Sequence, residues 1–372
     1  MTEAPWVAMA WALLEEAART GPLVDATAWE AGVAALGARY EALAVGAVPT
    51  LAERARNQLE ALGTYAETIT RAARGGNRVP YRVREADWSG RLTIEAPLWQ
   101  SVTKDGDLVL RRAVVAPPGH LILCADWHAS QLYLLAGLSG DTQLAADLAS
   151  GDIYLTLGDS LAPGHPRARD LGKLLVLAIT YRAGARTLTA KAREKGVDIG
   201  ADQIVALLGR LRARYATLWA WGEAIQPVGY HLLWTPGGRR VQLRPDPERP
   251  PRAQGASAAP SLPTVLAGIA QAWEADALLA SLAVLAPELG DLGLRLVLHL
   301  HDCIVWEVRA DLVESAVRRV SEVMVSTHAG MQRWVPQAGS APRESAAGMH
   351  HGAPVGLATG SSWGGATPYP TE

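Results

Sequence analysis

Two aspartates far apart in the chain close apolar runs. Asp126 ends Leu121-Ile-Leu-Cys-Ala-Asp126, and Asp302 lies in the His301-Asp302 pair between the apolar runs 296–300 and 303–308. Runs of this length read as buried strands, and the His-Asp pair as a tight turn between two of them. A carboxylate at a strand end stands clear of the sheet. Two of them suit hard divalent cations such as Mg²⁺, and two metals about 3.5–4 Å apart can clamp an in-line phosphoryl displacement. Taken alone, the second pattern also describes an ordinary edge hairpin with an Asp at its turn. Between the two lies Arg169-Ala-Arg-Asp-Leu-Gly-Lys-Leu-Leu-Val-Leu-Ala-Ile-Thr-Tyr181. At about 100° per residue, Arg169, Lys173, Leu177 and Tyr181 drift slowly around one stripe of a helix. Two cations there could grip a triphosphate, with an aromatic residue further along.

These residues need a scaffold, and the pattern supplies helices and short strands in mixed order. Helices are expected over 6–19, 28–45 and 51–73, the last opened by the capping box Thr50-Leu-Ala-Glu53. One long amphipathic helix is expected over 204–221, and others over 265–282 and 312–331. Trp234-Thr-Pro-Gly-Gly-Arg-Arg-Val241 reads as a hairpin turning at Pro-Gly-Gly. Residues 245–263, rich in Pro, Arg, Ala and Ser, read as a mobile loop, and 336–352 as a flexible insertion.

With 49% hydrophobic and 19% charged residues in 372, the chain can build a large core and more than one subdomain. Nothing resembles a signal peptide, and no apolar run looks long enough to span a bilayer, so no membrane partner is expected. Two cysteines, Cys124 and Cys303, suit a reducing cytoplasm and no disulfide framework. The net charge of −2 does not announce a nucleic-acid binder. Local charge says more: residues 165–214 hold many Arg and Lys against Asp170, Glu194, Asp198 and Asp202. Such a run is either a solvated helical face or a phosphate-contacting one.

The three stretches, in this order, resemble motifs A, B and C of family A DNA polymerases, the bacterial DNA polymerase I family. Motif A is Asp126-Trp-His-Ala-Ser-Gln131 followed by Leu135-Ala-Gly-Leu-Ser-Gly-Asp141; motif B is the Arg169 to Tyr181 helix; motif C is His301-Asp302. Ser89-Gly-Arg-Leu-Thr93, Pro97-Leu-Trp-Gln100, the Thr235 to Arg240 segment and Gln271 with Ala275-Asp276 resemble further family signatures. The likeness runs over about residues 85–372.

The resemblance implies an α+β multidomain right-hand polymerase. Residues 1–78 would be a short or rebuilt helical thumb. The palm would take 79–135 and 265–372, with an antiparallel sheet carrying motifs A and C, and mainly helical fingers would take 136–264. It implies DNA-directed DNA polymerase activity, with primer–template DNA and dNTPs as partners. Two Mg²⁺ ions (or Mn²⁺) would be held by Asp126, Asp302 and the Trp127 main-chain carbonyl. Arg169 and Lys173 would pair with the triphosphate, Lys173 donating a proton to pyrophosphate. Leu177 and Tyr181 would lie beneath the nascent base pair, Gln131 at the gate against a ribose 2′-hydroxyl, and Arg91, Gln271 and His301 along the duplex near the primer end. No carboxylate cluster signals proofreading, so a separate exonuclease or processivity factor is an expected partner.

Departures from the family pattern accompany the likeness. Cys303 stands where the family has Glu, Gln131 also replaces a Glu, and Tyr133 an Arg. Leu177 replaces an aromatic residue in a chain with no Phe. Ala178 and Arg182 replace glycines, Tyr154 a His and Ala267 an Asn. Two other readings therefore stand beside the polymerase: a ribonucleotide-tolerant enzyme, and a catalytically degenerate primer–template-binding subunit of a split replicase.

Overall fold

The structure, a computed structural model, describes residues 3–45, 66–86, 89–97, 99–102, 108–194, 196–225, 232–243, 260–337, 340–344 and 351–370. The Thr50–Glu53 capping box, most of the 51–73 helix and nearly all of the 245–263 loop lie outside these residues.

Five strands form the central sheet: β1 (His120–Trp127), β2 (Leu294–Leu300), β3 (Cys303–Arg309), β4 (Val355–Gly360) and β5 (Thr367–Pro368). Their order is β5-β4-β1-β3-β2, with every neighbouring pair antiparallel. β1 and β3 are interior strands covered on both faces, so their sequences run apolar without the polar alternation of a one-sided sheet. Leu123, Ala125, Trp127, Ile304, Trp306 and Val308 enter one core; Ile122, Cys303 and Val305 enter the other. β2 is an edge strand, and its register shifts between Leu296 and Leu298. Across that shift its side chains change cores: Leu294 and Leu296 join the first, Val297 and Leu298 the second.

Six helices matter for the site: α1 (Pro5–Thr20), α2 (Ser130–Ser139), α3 (Ile153–Leu161), α4 (Ala168–Tyr181), α5 (Leu262–Leu285) and α6 (Val313–Met331). The first core lies between the sheet and α1, α5 and α6. Val7 and Leu14 of α1 are fully buried in it, each worth about 1.5–3 kcal/mol. The second core covers the opposite sheet face with Trp29, Ile69, Trp99 and Leu110. A third unites α2 to α4 with the helices Ala185–Glu194, Ala201–Arg214 and Ala216–Ala224. This helical unit is inserted between β1 and the Leu232–Trp234 and Arg240–Gln242 hairpin, which turns over Thr235 to Arg239 as the Pro-Gly-Gly signal predicts.

Three expectations need correction. The helix expected over 204–221 is two helices, Ala201–Arg214 and Ala216–Ala224, broken at Tyr215. There the buried Tyr215 hydroxyl donates to Asp147 at 2.6 Å, and Asp141 accepts from the Leu218 amide at 2.9 Å. These tertiary bonds to the Asp141–Asp147 region outweigh continuing the helix. The insertion expected over 336–352 begins as an antiparallel hairpin, Trp334–Gln337 with Ser340–Glu344. Finally, among the described residues one apolar stretch is long enough to cross a membrane by length and hydropathy, Leu262–Glu288. It is the central core helix, 78% buried over that window.

Candidate active site

Backbone pairing positions the two carboxylates. In the β1–β3 register Asp126 stands opposite Cys303, one residue past Asp302, and the Trp127 amide donates to the Asp302 carbonyl at 3.2 Å. The turn is made by His301 in the left-handed region (φ 62°). Asp126 and Asp302 are thus brought together, half-buried, at one end of adjacent strands. The Trp127 indole turns into the core and donates to the Met324 carbonyl at 3.1 Å, leaving its main chain beside the aspartates. Cys303 is buried in the second core.

The donor set fits Mg²⁺. That ion keeps several waters and is usually bound by one or two carboxylates plus substrate phosphates, not by an all-protein cage. Two aspartates beside a strand carbonyl meet this need. Among the described residues no group of three or more His, Cys, Asp or Glu side chains forms a denser cage.

The cations sit on the helical insertion. Asp152 caps α3, accepting from the amides of Tyr154 (3.0 Å) and Leu155 (3.2 Å). Its other oxygen pairs with Arg169 at 2.6 Å on the exposed surface. Helices α3 and α4 cross through glycines. A Cβ at Gly172 would stand 1.7 Å from the Tyr154 carbonyl oxygen, and one at Gly158 1.8 Å from that of Ala168. This contact sets the Tyr154 ring under Arg169 (5.3 Å) and Lys173 (6.0 Å). Burial pushes the Tyr154 hydroxyl up, and the charges of Asp302, Asp152 and Asp126 push the same way. The insertion thus lies within electrostatic reach of both sheet aspartates. Leu177, by contrast, packs half-buried against the third core.

Arg182 follows α4 in the left-handed region (φ 51°) that glycine occupies without strain. Its guanidinium lies 4.0 Å over Trp219 and donates to the Leu218 carbonyl at 3.2 Å. Burial lowers its pKa to about 10.

Beneath the insertion, side chains from four elements form one polar chain. The Tyr181 hydroxyl donates to Gln131 Oε1 at 2.7 Å, and Gln131 Nε2 donates to Glu274 Oε2 at 3.1 Å. Arg91 approaches the same Glu274 oxygen at 3.7 Å, and Ser130 and Gln271 hydrogen-bond Glu274 and Tyr181 respectively. Glu274 is 3% exposed. Burial pushes its carboxyl up; the Asp126 charge adds to this, against the pull of Arg91, Gln131 and Ser130. Ser130 in turn meets the buried His328, whose Nε2 lies 3.1 Å from the hydroxyl.

Alongside, His301 feels the Arg91 charge, and burial holds its pKa down at about 4. Arg91 Nε, His301 Nδ1 and both nitrogens of His299 are buried without a protein partner. Buried polar atoms are rarely left so, and a cluster of them marks a place for a polar ligand. Arg91 itself is aimed by Arg239, which donates to the Gly90 carbonyl (2.9 Å) and is locked by Asp276 (2.6 Å) and Glu85 (2.8 Å).

The structure therefore gathers the sequence-predicted residues into two groups. Arg169 and Lys173 lie over Tyr154, which feels the charges of Asp126 and Asp302; Gln131 and Arg91 meet Glu274, Tyr181 and Gln271 join it through Gln131, and His301 joins through Arg91. Tyr154 entered the sequence analysis only as a substitution, and Glu274 was missed. Its signal was available: Glu274 and Asp276 are the only charged residues in the 24 of α5.

Residues 47–338 match the family described as DNA polymerase family A. The thermostable DNA polymerase I of Thermus filiformis is 29% identical over 250 residues, covering 64% of this chain and 29% of that protein. DNA polymerase I of Chloroflexus aurantiacus is 28% identical over 253 residues, covering 64% and 26%. The chain therefore spans less than a third of the length of these curated relatives. The POL domain of Pol1 from M. smegmatis, solved in complex with DNA primer-template and dNTP, shares the fold at a TM-score of 0.69 and 16% identity, over 96% of this chain and 70% of that one.

Proposed function

The chain belongs to DNA polymerase family A, and from that premise we propose that it is a template-directed DNA polymerase. It would add nucleotides from dNTPs to a primer 3′-hydroxyl with release of pyrophosphate. The observation that supports this reading is the β1–β3 register, which sets Asp126 opposite the residue after Asp302, together with Arg169 and Lys173 on the helical insertion over Tyr154. The sheet with both aspartates then serves as palm and the third-core helices as fingers.

Catalysis of this kind is mostly positioning and charge neutralisation. Asp126, Asp302 and the Trp127 main chain would hold Mg²⁺, which when bound polarises the phosphate and favours the attacking oxyanion. Arg169, on leaving Asp152, and Lys173 would neutralise the triphosphate, and Lys173 would protonate the departing pyrophosphate. Tyr181 and Gln131 wall the nucleotide pocket. Arg91, His301 and Gln271 take the duplex, giving the orphaned polar atoms their partners.

Primer extension with Mg²⁺ tests the reading. Incorporation of dNTPs is expected, lost in both Asp126→Ala and Asp302→Ala; full activity in either variant overturns the metal assignment. Gln131, uncharged at the sugar gate, favours a second reading in which ribonucleotides are accepted. An rNTP rate close to the dNTP rate would establish it. Primer–template binding without incorporation in Mg²⁺ or Mn²⁺ would point to a non-catalytic subunit.

A further inference from the structure

Glu274 lies at the centre of the polar chain, yet neither the metal site nor the triphosphate grip uses it. It comes from α5, in a stretch where its neighbours Trp273, Ala275 and Ala277 are buried apolar residues. Leaving a carboxylate there costs free energy unless it is bonded. It hydrogen-bonds Gln131 and Ser130 and pairs at longer range with Arg91, all from other elements.

These bonds have a direction. The Gln131 end facing Glu274 is its NH₂, which donates to the Glu274 Oε2 at 3.1 Å. The Gln131 carbonyl then faces Tyr181, and the single Tyr181 hydroxyl proton is spent on it at 2.7 Å. Held at both ends, Gln131 can neither swing aside nor flip its amide. With that proton given to Gln131, and Gln271 also bonded to Tyr181, the hydroxyl has no proton left for a sugar. Without Glu274, the Gln131 amide keeps only its bond from Tyr181 and loses its inner anchor, so its orientation is no longer fixed.

We propose that Glu274 is the positioning residue for sugar selection, fixing the Gln131–Tyr181 wall so that a deoxyribose fits against it and a ribose 2′-hydroxyl does not. The proposal rests on the polymerase reading for the nature of the ligand. What it adds is that the carboxylate governing the wall is supplied from α5 and acts through Gln131.

The test needs no turnover. The full chain is bound to a primer–template whose primer ends in a dideoxynucleotide, and Kd is measured for the next correct dNTP and for its rNTP counterpart. The ratio of the two values comes from one preparation, so an inactive fraction cancels. Glu274→Ala is expected to lower the preference for dNTP by about tenfold, the scale of one buried hydrogen bond to a charged group. Combining it with Gln131→Glu returns a carboxylate to the Tyr181 hydroxyl and is expected to restore the ratio to within about threefold of wild type. Glu274→Gln, which keeps the volume but can present a donor, is expected to fall between, and it carries the test if the alanine variant does not fold.

A ratio within about twofold of wild type in Glu274→Ala, or in Glu274→Gln where that variant carries the test, overturns the proposal, as does a double variant no better than the single. Extension of an ordinary primer, run in parallel, separates the two readings. Absent extension with the ratio shift intact removes the polymerase activity and leaves the role of Glu274. Extension without the shift does the reverse.

Discussion

The two halves of the candidate site are held in different ways. Asp126 and Asp302 are fixed by strand register: seven residue pairs join β1 to β3, and six more join β1 to β4. Arg169 and Lys173 depend on a side-chain ion pair at the surface, a ring under two cations and a glycine crossing. Backbone pairing tolerates loss of a side chain, whereas a helix crossing with no spare volume does not. The carboxylate half should therefore lose chemistry without losing structure, and the cationic half should lose both together.

The sharpest test is Asp302→Ala. Incorporation should fall by at least about 10²–10³-fold while the thermal midpoint stays within a few degrees, roughly the spread of surface changes. A large drop in the midpoint would mean that the carboxylate, not the register, holds the turn. On the other half, Gly172→Ala drives a methyl group into the Tyr154 carbonyl. Urea unfolding should report a loss of about 1–3 kcal/mol, and nucleotide affinity should weaken with primer–template affinity unchanged. Unchanged nucleotide affinity would break the link between the crossing and the cations.

Within the sheet, His299 is buried with neither nitrogen bonded, and burial holds its pKa down at about 3 against an ordinary 6.5. The unfolded chain therefore binds the proton first. Stability is full above pH 6.5 and declines as pH falls from 6.5 toward about 3. His299→Leu should flatten that decline and raise stability by about 1–2 kcal/mol near pH 5, read from urea midpoints. A steeper decline would show that the imidazole has a partner. The smallest effect is expected from Arg182→Gly. Relief of left-handed strain, about 1–2 kcal/mol, is offset by the lost contact with Trp219 and by the freer unfolded chain. Unfolding midpoints should agree to within about 0.5 kcal/mol.

Much of the scaffold was legible because it is local. β1, β2, β3, α4 and α5 follow from apolar runs and turn signals within a few residues of where they were expected. The break at Tyr215 was not, because its cause lies in Asp141 and Asp147, on a different helix. Hydropathy alone could not separate α5 from a membrane span, since a helix buried on all sides and one dissolved in lipid share a composition. The two aspartates of the candidate site could be named from strand ends, but their surroundings could not. Glu274 meets Gln131 only after α5 has packed beneath α2 and α4, and no spacing in the chain encodes that meeting.

The place of β1 between β3 and β4 also bears on how the chain is made. A growing polypeptide carries β1 early, but its two neighbours come from residues 303–309 and 355–360. Until both have emerged from the ribosome, an apolar strand ending in Asp126 exposes unpaired amides and carbonyls along at least one side. Such an edge is a template for pairing with other chains. Truncation anywhere before residue 355 should therefore yield aggregates, because it leaves one edge of β1 unpaired even after pairing with β3 has brought Asp126 and Asp302 together.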